Sequence, residues 1–287
     1  MPISARHPGV TGQSHGISAQ IVGTADCEVR QLLSAFRLIP GKKRYTGHDE
    51  LDIESEVNHL MDQHSGSRSK PGLVLFDLDD TLCDHEGSLR VRLRASFAAA
   101  FNGSPPDYIE RIVEESIERS VFGTDHFAEI LEPHGVTAPE RLKAAEDVYV
   151  GDRFRGLQLY PEARDVVEYV RKQTRIGMIT NGPSDIQRQK IELLEIGDLF
   201  PFILVSEEVE MWKPDPRIFQ RAMELGQAEP AETVYIGDNP GHDIAGAKAS
   251  GVTSIWVNRS EREWPGDERP DFEINNLRQI VSILSLE

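Results

Sequence analysis

Short apolar runs recur along the chain after residue 72, and amphipathic stretches separate the later ones. Five runs consist mainly of apolar residues: LVLF at 73–76, RIGMIT at 175–180, FILVS at 202–206, TVYIG at 233–237 and TSIWVN at 253–258. A strand buried on both faces has a continuous apolar run, whereas a helix that covers a sheet has one apolar face. The alternation predicts an α/β fold with a doubly wound parallel sheet.

Roughly a hundred residues separate the first two apolar runs, far more than one crossover helix needs. Apolar residues recur with helical spacing in this insertion, first as Leu89, Leu93, Phe97 and Phe101 and then as Ile109, Val113, Ile117 and Val121. We therefore predict a helical domain at 88–158 that acts as a lid. The sheet core is then formed by 73–87 and 159–287.

Residues 1–72 differ in texture from the rest of the chain. The first 25 are rich in Gly, Ser and His without periodicity, while 26–39 and 49–64 could each form a short amphipathic helix. The run SGSRSKPG at 65–72 is typical of a linker. We predict an N-terminal extension that is largely disordered or loosely helical.

Charge and composition exclude several classes of protein. The net charge of −17 argues against a nucleic-acid partner, because phosphate contacts need clusters of Lys and Arg. No run of about 18 apolar residues is present to span a membrane, and the opening residues lack the apolar core of a secretory signal. The two cysteines, Cys27 and Cys83, are expected to be reduced thiols in a cytoplasmic protein.

The first apolar run ends in carboxylates, within the sequence FDLDDTL. Ligands of open α/β sheets bind at the carboxyl ends of the strands, so Asp77 projects into that crevice. There it could attack a phosphorus atom as a nucleophile. Asp79 could protonate the leaving oxygen and then activate water. The alternative is plain turn chemistry, since Asp is common after strands.

Two later segments supply groups that suit a phosphate. In ITNG, the hydroxyl of Thr180 and the backbone N–H groups near Asn181 can bind phosphate oxygens. In WKPDPRIF, Lys213 can neutralise the charge shared by the phosphate and Asp77. Structural alternatives exist for both segments. Thr180 could be a β-branched strand residue that is followed by a plain turn, and Lys213 could be an ordinary exposed lysine.

The segment GDNPGHDIAGAKASG contains two more carboxylates, Asp238 after the fourth run and Asp243 at the head of a helix. Together with Asp77 they form a set of hard oxygen ligands suited to Mg²⁺, which accepts one or two carboxylates, waters and a substrate phosphate. N-capping by Asp243 and turn formation by Asp238 are the alternatives.

In this order, four segments resemble the four motifs of the haloacid dehalogenase (HAD) superfamily: FDLDDTL, ITNG, KPDPRIF and GDNPGHDIAGAKASG. The resemblance covers about 73–287 and implies that the helical insertion is the superfamily's cap. It also implies functional residues for this sequence: Asp77 as nucleophile, Asp79 as acid/base, and Thr180 and Lys213 as phosphate-binding groups. It further implies that Mg²⁺ is held by the carboxylates of Asp77 and Asp238 and by the backbone carbonyl of Asp79. Asp243 is expected to orient Lys213 or a metal-bound water.

Within the superfamily, Asp79 and the pair Asp238/Asp243 favour a Mg²⁺-dependent phosphatase, because dehalogenases need no metal and lack the acid at position 79. The expected substrate is a small phosphorylated metabolite of the nucleotide or sugar phosphate class, and the expected assembly is a monomer or homodimer. A phosphomutase, a dehalogenase and a regulatory binding protein on a phosphatase scaffold are the alternatives. The segment TNGPSDIQRQKIELL also resembles the branch of nucleotidases and acylneuraminate 9-phosphate phosphatases through Gln187 and Lys190. These two residues could equally be the exposed face of a helix whose inner face is Ile186, Leu193 and Leu194.

Overall fold

The computed structural model describes residues 70–101, 103–119 and 123–286. Its strands are β1 Leu73–Phe76, β2 Arg175–Thr180, β3 Ile203–Val205, β4 Thr233–Gly237, β5 Thr253–Val257 and β6 Phe272–Ile274. Its α-helices are α1 His85–Phe101, α2 Pro106–Glu118, α3 Phe127–Leu131, α4 Pro139–Gly151, α5 Ala163–Gln173, α6 Ser184–Leu193, α7 Ser206–Val209, α8 Pro216–Gly226, α9 Ala245–Ala249 and α10 Ile280–Ile283. A π-helical turn, Pro240–Ile244, precedes α9. No helix in these ranges is both long and apolar enough to cross a membrane.

The described strands form one parallel sheet in the order β3-β2-β1-β4-β5-β6. The central strand, β1, is fully buried: Val74 and Phe76 pack into one hydrophobic cluster, and Leu73 and Leu75 into another on the opposite face. From β1 the chain adds β2 and β3 on one side of the sheet. It then returns to the other side of β1 and adds β4, β5 and β6. This reversal confirms the predicted doubly wound fold and opens a crevice at the carboxyl ends of β1 and β4.

Two strands differ from the prediction in length, and one was missed. The run at 202–206 contributes only β3, because Ser206 already begins α7. The run at 253–258 ends as a strand at Val257. Strand β6 was not predicted, because three residues with a central Glu273 give no continuous apolar run.

Helices α1 to α4 form the cap over their own hydrophobic cluster, which is separate from the two clusters that cover the sheet. The predicted helical row on α1 is buried as expected at Leu89, Leu93, Phe97 and Phe101. On α2, Ile109 and Val113 are buried and Ile117 is half-buried, while Val121 lies outside the described residues. The helical character of the insertion is thus as predicted.

The chain enters and leaves the cap through two adjacent segments. Cys83 and Leu159 form an antiparallel bridge, and the backbone N–H of Tyr160 donates to the carbonyl of Leu82 at 3.0 Å. Cys83 also forms a bridge with Asp79, so the cap is attached at the mouth of the crevice. α1 begins at His85, ahead of the predicted boundary at 88, and the domain boundaries themselves stay a prediction.

The predicted N-terminal extension falls almost entirely outside the described residues. Of 1–72, the structure describes Lys70, Pro71 and Gly72, which lead into β1. The two helices predicted at 26–39 and 49–64 lie outside the described ranges.

Candidate active site

Polar residues from several strand ends meet in the crevice beside β1. The ammonium of Lys213 is at the centre: its Nζ lies 2.5 Å from Asp77 Oδ1, 2.7 Å from Asp243 Oδ1 and 2.9 Å from the hydroxyl of Tyr235. Lys213, Asp77 and Asp243 are all at most 5% exposed. The structure thus brings these three residues together, and the roles predicted for them stay predictions.

Asn181 connects the end of β2 with the loop that carries Lys213. Its side-chain nitrogen donates to the carbonyl of Lys213, and its side-chain oxygen accepts from the N–H of Lys213, each at 2.9 Å. This pair of bonds fixes the backbone from which the ammonium reaches Asp77. The side chain of Asn181 thus positions Lys213, and only its backbone N–H remains as the predicted phosphate donor.

The loop after β4 holds the remaining carboxylates. Asn239 caps the π-helical turn, since its side chain accepts from the N–H groups of Gly241 and His242. The N–H of Asn239 in turn donates to Asp243 Oδ2 at 2.9 Å. Both oxygens of Asp243 therefore have protein donors, while Asp238 faces the crevice half-buried. The predicted role of Asp243 in orienting Lys213 fits these contacts.

Gly237 is required by the close approach of Asp243. A Cβ at position 237 would lie 2.4 Å from Asp243 Cγ, well inside contact distance. We expect Gly237→Ala to lower the free energy of unfolding by about 1–3 kcal/mol, as overpacking does. Urea unfolding measures this. Gly151→Ala is the matched control, because a Cβ there meets nothing within 4 Å, and equal stabilities of the two variants would contradict the expectation.

Carboxylate oxygens of Asp77, Asp238 and Asp243 lie within 4.8 Å of one another. Burial raises the pKa of Asp77 to about 7 even though Lys213 opposes the rise. Burial, reinforced by the charges of Asp243 and Asp77, raises the pKa of Asp238 to about 9. Three carboxyl groups thus crowd around the ammonium of Lys213, and Arg262 Nη2 lies 3.7 Å from Asp238 Oδ2. A hard divalent cation such as Mg²⁺ fits this oxygen donor set and would relieve the repulsion.

Asp79 lies beside this cluster with its side chain 23% exposed. Lys190 Nζ is 2.8 Å from each carboxylate oxygen of Asp79, and His85 Nδ1 is 3.9 Å from Oδ1. Burial raises the pKa of Asp79, but Lys190 and His85, with a hydrogen bond from Gln187, lower it overall. The same Gln187 nitrogen contacts Thr180 Oγ1, so one amide joins the residues predicted as acid/base and phosphate binder.

The alternative interpretation of α6 was wrong. Gln187 and Lys190 are 1% and 5% exposed, whereas Leu193, expected on the inner face, is 55% exposed. Only Leu194 is buried as that interpretation required, with Ile186 half-buried. The buried side of this helix is mixed: Ile191 and Leu194 pack into the core cluster, while Gln187 and Lys190 contact Asp79. The spacing of three residues places Gln187 and Lys190 on one side of α6, but it does not tell whether that side is buried.

Two contacts of the site were not anticipated. The hydroxyl of Tyr235, inside β4, bonds Lys213 and donates to Asp243. Thr81 Oγ1 donates to Asp77 Oδ2 at 3.3 Å. Tyr235 carried no signal, because in TVYIG it is one more apolar strand residue. Thr81 carried no signal either, because a Thr after the Asp-Asp pair of FDLDDTL is also typical of a turn.

Known proteins resemble the chain in sequence and in fold. Residues 74–257 match the family described as haloacid dehalogenase-like hydrolase. The phosphoserine phosphatase of Thermus thermophilus is 36% identical over 155 residues, which are 54% of this chain and 61% of that protein. The glyceraldehyde 3-phosphate phosphatase of Methanopyrus kandleri is 30% identical over 226 residues, 74% of this chain and 96% of that protein. The magnesium-bound HAD-hydrolase YfnB of Bacillus subtilis has a similar fold, with a TM-score of 0.62 and 23% identity over 75% of this chain and 99% of that chain.

The family match includes the segments after β1, β2 and β4 and the loop that carries Lys213. The chain spans less than two thirds of the phosphoserine phosphatase but nearly all of the glyceraldehyde 3-phosphate phosphatase. These matches confirm the predicted superfamily, its α/β core with a helical cap, and the hydrolase class. The chain belongs to the haloacid dehalogenase-like hydrolase family.

Proposed function

We propose that the protein is a Mg²⁺-dependent phosphatase that hydrolyses a small phosphorylated metabolite through an aspartyl-phosphate intermediate. The observation that carries this proposal is the position of the Asp77 carboxylate, which contacts the ammonium of Lys213 inside a cluster of three carboxylates. A nucleophile, a cation and a candidate metal site then lie at one point.

In the first step, an Asp77 oxygen attacks the phosphorus and the ester P–O bond breaks. Asp79 gives its proton to the departing alcohol oxygen, and the phosphoryl group remains on Asp77. Lys213 stabilises the negative charge on the phosphoryl oxygens, and Thr180 donates its hydroxyl to one of them.

In the second step, Asp79 takes a proton from water. The water oxygen attacks the same phosphorus, the bond to Asp77 breaks, and phosphate leaves. The pairing of Asp79 with Lys190 suits both steps, because it stabilises the ionised carboxylate that the first step produces and that the second step uses as base.

The predicted metal ligands are the carboxylates of Asp77 and Asp238 and the backbone carbonyl of Asp79. Bound Mg²⁺ would neutralise charge on Asp77 and on the phosphate, so that two anions can approach. Asp243 is proposed to hold Lys213 rather than to bind the metal first, since its oxygens already accept three protein hydrogen bonds.

The relatives support the substrate class. Two of them are named for phosphoserine and glyceraldehyde 3-phosphate, both small phosphate monoesters. We propose a substrate of comparable size and chemistry. The cytoplasmic location, the monomeric or dimeric state and the lack of nucleic-acid or membrane partners remain predictions.

A screen of phosphorylated metabolites tests the proposal directly. Purified protein with Mg²⁺ is expected to release inorganic phosphate from at least one small monoester. Formation of a phosphate isomer without free phosphate would instead favour a phosphomutase. Turnover of no compound in the screen would favour a regulatory binding protein.

Metal removal is a separate prediction. With EDTA present, phosphate release should fall on the order of hundredfold or more, and excess Mg²⁺ should restore it. The circular dichroism spectrum should not change, because the hydrophobic clusters of sheet and cap are built without these carboxylates. Full turnover in EDTA would contradict the metal site.

A further inference from the structure

Asp79 is held by a buried pair of side chains from α6. Lys190 is 5% exposed and Gln187 is 1% exposed. In the described part of the chain, the ammonium of Lys190 contacts no acceptor other than the two oxygens of Asp79. Burying a lysine costs free energy unless it is paired, so this ion pair fixes both partners in one arrangement.

Gln187 adds a second constraint. Its Nε2 lies 3.1 Å from Asp79 Oδ2 and also contacts Thr180 Oγ1. The Asp79 carboxylate therefore cannot rotate away without losing its contact with the amide of Gln187, which also holds the hydroxyl of Thr180. Gly182 lies against the same side chain: a Cβ there would lie 3.1 Å from Gln187 Cγ and Cδ, so a larger residue at 182 would press on Gln187.

We propose that Lys190 and Gln187 are positioning residues that direct Asp79 toward the leaving-group oxygen. The inference rests on the proposed function, in which Asp79 acts as acid and then as base. When Asp79 carries a proton on one oxygen, the other oxygen still accepts from Lys190, and the O–H can donate to the ester oxygen. The charge of Lys190 then stabilises the carboxylate that the proton transfer leaves behind. In the transfer, the Asp79 O–H bond breaks, the proton moves to the alcohol oxygen, and the ester P–O bond breaks with it.

The alternative is that the ion pair only stabilises the fold. The two roles differ in their dependence on the leaving group. A poor leaving group needs the proton from Asp79, whereas a good one departs with little help. The value of kcat/KM reports the steps up to release of the first product, so it is sensitive to proton donation and not to the later attack of water.

The experiment compares two substrates of matched size, p-nitrophenyl phosphate and phenyl phosphate, with Mg²⁺ present. Phenol is the poorer leaving group of the two. We expect Lys190→Met and Gln187→Leu to lower kcat/KM for phenyl phosphate at least about tenfold more than for p-nitrophenyl phosphate, within the range of general acid catalysis. Gln189→Leu, an exposed position on the same helix, should leave both values unchanged.

A second comparison uses an Asp79→Asn background. There, adding Lys190→Met should cause no further selective loss on phenyl phosphate, because the proton donor is already absent. Equal losses on the two substrates, or an undiminished selective loss in the Asp79→Asn background, would overturn the inference. Should Lys190→Met not fold by circular dichroism, Gln187→Leu decides the same comparison. Failure of the unmodified protein to release phosphate from either compound bears on the proposed function instead.

Discussion

Asp77→Asn is expected to reduce phosphate release by at least about 10⁴-fold, the scale seen when a covalent nucleophile is removed. The amide oxygen of asparagine can still accept from Lys213, and the shape of the side chain is kept. Burial is the main reason why the pKa of Asp238 is raised, and removing the charge of Asp77 lessens the repulsion that adds to it. The variant should therefore fold at least as well as the unmodified protein while losing turnover.

The measurement is steady-state phosphate release together with the unfolding midpoint in urea. Mass spectrometry of acid-quenched protein should detect a phosphorylated species in the unmodified chain and none in Asp77→Asn. Asp198→Asn is the matched control, because it is the same chemical change at an exposed residue. Asp198 lies in the turn before β3, near the amino ends of the strands, whereas Asp77 follows the carboxyl end of β1. Full activity in Asp77→Asn would remove the basis of the proposed mechanism.

The convergence of Asp77, Thr180 and Asp238 could be predicted because it follows from topology. Parallel strands place their carboxyl ends at one edge, so a polar residue after each apolar run must lie there. The sequence alone places a polar residue after each of these strands, whereas the roles predicted for Lys213 and Asp243 came from the resemblance to the family's motifs.

The surroundings of Asp79 could not be predicted in the same way. They depend on the rotation of α6 about its axis, and hydrophobic periodicity gives that rotation only when the apolar face is the buried one. In α6 the buried face includes Gln187 and Lys190, while Leu193 is exposed. Tyr235 was hidden for a related reason, because its hydroxyl reaches the site from inside a fully buried strand. Polar groups that serve a site from core positions carry no pattern of their own.

The second large effect is expected from a pair of variants, Lys213→Met and Asp238→Asn, which separate electrostatic stabilisation from metal binding. Removing the ammonium leaves the approaching phosphate opposed by Asp77 and Asp243 without their cation. We expect kcat/KM to fall on the order of 10²–10³-fold, as when a preorganised charge is deleted. Lys172→Met, at an exposed position on α5, is the control.

Mg²⁺ affinity should respond oppositely in the two variants. Lys213 is a positive charge beside the proposed ligands, so its removal strengthens the attraction of a divalent cation, and Lys213→Met should bind Mg²⁺ at least as tightly as the unmodified protein. Asp238→Asn removes a charged ligand and should weaken Mg²⁺ binding at least about tenfold, since even groups behind the ligands have effects of that size. Titration calorimetry measures both affinities. An equal loss of Mg²⁺ binding in the two variants would contradict this separation of roles. It would mean that Lys213 acts through the metal site, because a positive charge that stabilises only the phosphoryl group does not increase the affinity for a nearby cation.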